Sequence, residues 1–159
     1  MGDIEAPMNT THVRPVASSF RVRGPLLSKG VLDTELFRTD GLWGHLKMYA
    51  EGGENTLHAH PLEDHAFIVL DGKARFFDEA GNEFVVARYD GFLIPKGALY
   101  RFQNIGEGNL VMLRVGTGSD FHQPGKSDER MDPDGNPTHD KAHVPFKNAV
   151  LTGEYFGDD

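Results

Sequence analysis

Between about residues 18 and 116 the chain alternates short apolar runs with turn residues, and no helical spacing of apolar positions intervenes. The pattern predicts strands over 20–23, 32–38, 42–49, 56–60, 65–70, 73–78, 83–88, 92–94, 99–103 and 110–115. Glu79-Ala80-Gly81-Asn82 reads as a hairpin loop with the glycine at positive φ; Asp90-Gly91 and Pro95-Lys96-Gly97 read as turns. Strands this short and regular predict an all-β barrel or sandwich.

Several of these strands are apolar on both faces, such as Ala66-Phe67-Ile68-Val69-Leu70 and Phe84-Val85-Val86-Ala87. One face lines the barrel; the other calls for a second sheet or a second subunit, so a homodimer is expected. The whole chain, 1–159, is read as one domain with a barrel core over about 18–116. Residues 1–17 form a polar arm. From Thr117 the composition turns to Gly, Pro and Asp, predicting an irregular extension over 117–159, until Phe146, Val150, Leu151, Tyr155 and Phe156 restore apolar surface that should dock.

Composition narrows the function classes. The net charge of -8 argues against a nucleic-acid partner, and the absence of cysteine removes disulfides, thiolate zinc sites and thiol catalysis. The N-terminus lacks the basic and apolar regions of a signal peptide, Pro7 with acidic Asp3 and Glu5 argues against lipidation, and no apolar run reaches membrane-spanning length. A cytoplasmic protein with a small-molecule substrate and no membrane partner is expected. There is no Gly-x-Ser-x-Gly elbow, no phosphate-binding Gly-Lys-Ser/Thr loop and no Gly-x-Gly-x-x-Gly.

The chemistry concentrates in GGENTLHAHPLEDHAFIVLDG, residues 52–72, which holds His58, His60 and His65. Side chains at i and i+2 of a strand share a face, so His58 and His60 can aim at one point, with His65 closing from the next strand. Imidazole is the commonest nitrogen ligand of transition metals.

The spacing resembles that of the cupins, small double-stranded β-helix or jelly-roll barrels. Gly52, His58-Ala59-His60, His65 and Gly72 keep the frame of the first cupin motif, with His65 in place of the family's glutamate. Asp90, Pro95, Gly97 and Asn104 keep the frame of the second, where Tyr100 replaces the histidine and Tyr89 the first glycine. The resemblance covers about residues 40–115. It implies a metal site of His58, His60 and His65, with Tyr100 in the fourth slot as a ligand or as an acid/base group near the substrate. It implies a divalent transition metal, Fe(II) first, with Zn, Ni, Cu or Mn as alternatives. Without a carboxylate the metal would be more Lewis acidic. A dioxygenase-type oxidoreductase with an all-histidine site is the expected activity. The alternatives are a cupin lyase or isomerase, a metal-free His/Tyr acid–base enzyme, or a non-catalytic ligand- or metal-binding cupin.

Neighbouring residues carry plainer readings. Glu63 and Asp64 directly precede His65, and a loop one residue shorter would make Asp64 a carboxylate ligand. His45, with Lys47 and Tyr49 on its face, reads as an exposed or hydrogen-bonded histidine. Asn104 and Asp132-Pro133-Asp134-Gly135-Asn136 read as turns. His122, His139 and His143 fall in the tail. Met48, Phe67, Val69, Phe92, Ile94 and Phe102 are core or pocket wall.

Overall fold

The computed structural model describes residues 14–50, 55–118, 130–138 and 148–158. Among them are ten strands and no helix: β1 (Gly24–Lys29), β2 (Val31–Arg38), β3 (Leu42–Tyr49), β4 (His65–Asp71), β5 (Lys73–Asp78), β6 (Glu83–Ala87), β7 (Gly91–Ile94), β8 (Tyr100–Asn104), β9 (Leu110–Thr117) and β10 (Val150–Phe156). They form an antiparallel jelly roll. One sheet runs β2-β3-β9-β4-β7, the facing sheet β6-β5-β8, and β1 pairs with β10 as a separate ribbon.

The strand period of two sorts the side chains into layers across the large sheet. The registers place Trp43, Gly116 and His65 in one row, His45, Arg114 and Phe67 in the next, and Lys47, Met112 and Val69 below. All of these are buried, as are Tyr100 and Phe102 on the facing sheet. The lower rows build an apolar floor from Phe67, Val69, Phe76, Phe102, Leu110 and Met112. The upper rows are polar. Gly116 is required there, because a Cβ would run into the Trp43 indole that lies across it.

The opposite face of the large sheet is apolar too, and Leu32, Leu46, Met48 and Val111 are buried against Leu27 of β1. The β1–β10 ribbon therefore supplies part of the cover that the two-sided strands demand. Met48 belongs to this outer cluster rather than to the pocket wall. Elsewhere the outer face stays open: Ile68 on β4 and Leu93 on β7 are exposed.

Two expected strands differ. The first lies at Gly24–Lys29 instead of 20–23, because β10 supplies a partner there, with Pro25 tolerated on a strand that pairs on one side only. Residues 56–60 form no continuous strand; His58 bridges Tyr100 and Ala59 bridges Met131. The tail is less irregular than expected, since Val150–Phe156 is a strand, although Val150, Leu151 and Tyr155 remain exposed. The arm over 1–13, Phe146, and His122, His139 and His143 lie outside the described residues.

The turns follow the sequence. Gly81 has φ 82°, and Asn104 bonds the backbone carbonyls of Tyr49 and Gly108 at 3.1 and 2.9 Å. The Asp132 carboxylate accepts the N–H groups of Asp134 and Asn136 within its own turn. Tyr89, standing where the motif carries glycine, keeps the left-handed backbone at φ 71°.

Candidate metal centre

The His58-Ala59-His60 segment is held on both sides. His58 exchanges backbone hydrogen bonds with Tyr100 of β8 at 3.1 and 3.0 Å, and Ala59 exchanges them with Met131 at 2.9 and 3.0 Å. Both histidine side chains are buried, Ala59 packs on the other face, and the N–H of Gly97 bonds the His60 carbonyl. His65 begins β4 and approaches from the large sheet. The ring centroids of His58 and His60 lie 5.1 Å apart, and those of His60 and His65 4.4 Å apart. Tyr100 lies 4.6 Å from His58 and 6.2 Å from His60. The three histidines and Tyr100 are thus brought together in one buried cluster.

Glu63 joins them. Its Oε2 lies 3.0 Å from His65 Nε2 and 3.8 Å from His60 Nδ1, and its side chain is buried. His60, Glu63 and His65 each offer a ligand atom within 4.8 Å of the others. Metal–ligand bonds near ~2.1 Å put neighbouring donors about 3 to 3.5 Å apart, so the set can close on one ion with small side-chain movements. The 2.7 Å hydrogen bond from His58 Nδ1 to the Thr56 carbonyl directs the Nδ1 proton outward and leaves the Nε2 lone pair for coordination. These donors fit a first-row divalent ion.

Asp64, the carboxylate considered from sequence, does not enter the cluster. Its Oδ1 accepts the N–H of Lys96 at 2.9 Å, its side chain is solvent-exposed, and its backbone N–H bonds Thr117. Residues 61–62 form a turn that sends Glu63 inward and Asp64 outward. The buried cluster therefore holds a carboxylate beside the three histidines, from a position the motif spacing does not mark.

With this geometry in view, comparison with known proteins places the chain. Residues 45–116 match the family model described as "Cupin domain". The chain carries a cupin domain. Germin-like protein subfamily 1 member 4 of Arabidopsis thaliana is 33% identical over 79 residues, 45% of this chain and 36% of that protein. The chain thus spans about a third of that relative's length. Among solved structures, the cupin domain of Schizosaccharomyces pombe Cnp3 superposes with TM-score 0.53 at 19% identity over 58% of this chain and 68% of that one. KdgF from Halomonas sp. gives 0.53 at 18% over 57% and 81%, and BH2720 from Bacillus halodurans 0.54 at 20% over 60% and 75%. At these identities the likeness is one of fold.

Within the cupin barrel the site is electrostatically crowded. Arg114 Nη2 lies 3.2 Å from both ring nitrogens of His65. The two ring nitrogens face diverging directions and only one of them carries a lone pair in the neutral ring, so an atom equidistant from both lies against the ring face. Asp33 of β2 sits opposite Lys47 and accepts from His45 Nδ1 at 2.8 Å and from Lys47 Nζ at 2.7 Å, with all three side chains buried. Burial pushes the Asp33 carboxyl up, but the Lys47 charge and the His45 hydrogen bond outweigh it and hold the group well below the usual range. His45 is thus hydrogen-bonded, as the sequence suggested, but at the centre of the barrel. Burial raises the Tyr100 phenol, keeping it protonated and a donor at neutral pH.

Burial, then the positive charge of Arg130, brings His58 down to about 3; burial and Arg114 lower His60 further. The unfolded chain titrates these groups near ~6.5. Below that pH the unfolded state takes up more protons than the folded one, so stability is full above about 6.5 and falls as pH drops toward 3. The metal-free protein should lose several degrees of melting temperature between pH 7.5 and 5.0, a window above the titration of Asp33. Calorimetric scans at the two values check this; an unchanged midpoint would mean that these histidines are hydrated.

Proposed function

We propose that the chain is a metal-dependent cupin enzyme acting on a small organic substrate inside the barrel. His58, His60, His65 and Glu63 would hold one divalent transition metal, Fe(II) first. The observation that carries the reading is the buried convergence of His60, Glu63 and His65 beside a His58 with its tautomer fixed by Thr56. Three of these donors, His60, Glu63 and His65, make the two-histidine, one-carboxylate combination favoured by non-haem Fe(II) oxygenases, with His58 as a further imidazole, so dioxygenase chemistry is the first class to test. Bound there, the ion would supply Lewis acidity and, as Fe(II), redox chemistry with O2.

The chain's own residues would do the rest. Tyr100, protonated and 4.6 Å from His58, would donate a hydrogen bond or proton to a substrate oxygen. Phe67, Phe102 and Met112 would exclude water and seat the carbon skeleton. The exposed Ile68 and Leu93 favour a homodimer across the outer face of β4 and β7.

Oxygen uptake by Fe(II)-loaded protein, with pentane-2,4-dione and related enolisable diketones, tests the activity. Turnover should fall at least about tenfold in Tyr100→Phe at unchanged metal content, in line with the usual contribution of a positioned acid. Equal turnover in the variant would remove Tyr100 from the chemistry. Turnover without oxygen consumption would select a lyase or isomerase instead.

A further inference from the structure

Residues 56–60 carry two of the three candidate histidine ligands and form no continuous strand. The backbone hydrogen-bonding groups of successive residues in an extended chain point to opposite sides, so each side needs its own partner. His58 finds one in Tyr100 of β8. Ala59 finds the other in Met131, which donates to the Ala59 carbonyl at 3.0 Å and accepts the Ala59 N–H at 2.9 Å. Ala59 is buried, so water does not readily take the place of Met131. Ala59 also lies between the two imidazoles, and its backbone angles set how His58 and His60 converge.

Met131 is presented by a hairpin that closes on itself. Met131 bridges Pro137, Thr138 N–H bonds the Arg130 carbonyl at 2.9 Å, and Asp132 N–H bonds the Asn136 carbonyl at 2.9 Å. The Asp132 carboxylate accepts the N–H groups of Asp134 and Asn136, and Gly135 takes φ 81° at the tip. The base of the hairpin is buried at Arg130, whereas residues 133–137 are exposed. Among the described residues its backbone reaches the barrel through Ala59 alone. Two backbone hydrogen bonds are a modest attachment, and a unit attached so lightly can open locally without unfolding the barrel.

We propose that Met131 is a positioning residue for the metal ligands, and that docking of the 130–138 hairpin and metal binding at His58 and His60 reinforce each other. The docked hairpin holds the His58-Ala59-His60 backbone in the extended form that aims both rings at one point, so the ion meets ligands already ordered. An ion that fixes the two rings in turn holds the edge on which the hairpin docks. Such coupling is reciprocal: the factor by which docking tightens metal binding is the factor by which metal tightens docking. The inference rests on His58 and His60 being ligands of the site proposed above.

Three versions of the full chain test it: the parent, Met131→Leu, which keeps the backbone N–H, and Met131→Pro, which removes it. In chelator competition with Co(II), Met131→Pro should bind about tenfold more weakly and change the Co(II) absorption spectrum, with Met131→Leu within about threefold of the parent. Equal affinity in the two variants, or tighter binding in Met131→Pro, would overturn the inference; the latter would mean that moving the Arg130 charge away outweighs the loss of the clamp. Asp132→Ala loosens the turn of the hairpin and should weaken binding severalfold even if Met131→Pro fails to fold. In the parent, Zn(II) should slow amide exchange at Ala59, Met131 and Thr138 by a similar factor, and unchanged exchange there would overturn the coupling whatever the variants do. A parent that takes up no metal sinks the metalloenzyme reading. The positioning role is then decided on metal-free protein, where Asp132→Ala should speed exchange of the His58 and Tyr100 amides and unchanged rates would overturn it.

Discussion

Asp33→Ala should cost about 3–5 kcal/mol of folding stability, although Asp33 lies outside the candidate metal set. Its two oxygens are divided between His45 and Lys47 at 2.8 and 2.7 Å, and Lys47 has no route to water that keeps its backbone position in the middle of β3. Removing the carboxylate leaves a buried ammonium in the field of Arg114. The double variant Asp33→Ala/Lys47→Met removes both charges and should recover most of the loss, because a methionine fills the lysine's volume without its desolvation cost. Urea unfolding midpoints of the two variants measure the difference. A single variant within about 1 kcal/mol of the parent would mean that Lys47 is solvated.

Glu63→Gln should weaken metal binding more than the roughly 10–100-fold typical of groups that only support a ligand. It removes the one carboxylate, among the described residues, within reach of both His60 and His65. Asp64→Asn, one position away, should change affinity by less than about threefold, since that side chain caps the Lys96 N–H in solvent and neighbouring exposed charges contribute little. Chelator competition with Co(II) or Zn(II) gives both numbers. The reverse ranking would place the ligand carboxylate at Asp64 and require a different course for the loop.

Those two residues also mark how far the sequence could be read. The period of two was enough to put His58 and His60 on one face and Tyr100 inward with Phe102. The two motif frames together pointed to the cupin barrel. Glu63 was hidden because a turn, not a strand period, sets its direction, and the family spacing draws attention to 65. Arg114 left a usable signal: it alternates with the inward Leu110 and Met112, so strand parity alone would have found it. Arg130 left none, since it sits in a Gly/Pro/Asp-rich segment seventy-one positions beyond Ala59 and reaches the site through one isolated bridge. The role of Asp33 depends on the β2–β3 register, which places it opposite Lys47 and which the apolar pattern of β2 does not specify. The first strand was displaced for a similar reason: its partner, β10, lies at the far end of the chain.

The most direct measurement is the metal content, by plasma mass spectrometry, of protein purified without chelator or polyhistidine tag, beside a His58→Ala/His60→Ala variant. The account predicts near one equivalent of a first-row transition metal in the parent and almost none in the variant. A parent that holds no metal after anaerobic reconstitution, or a variant that holds as much as the parent, would contradict it.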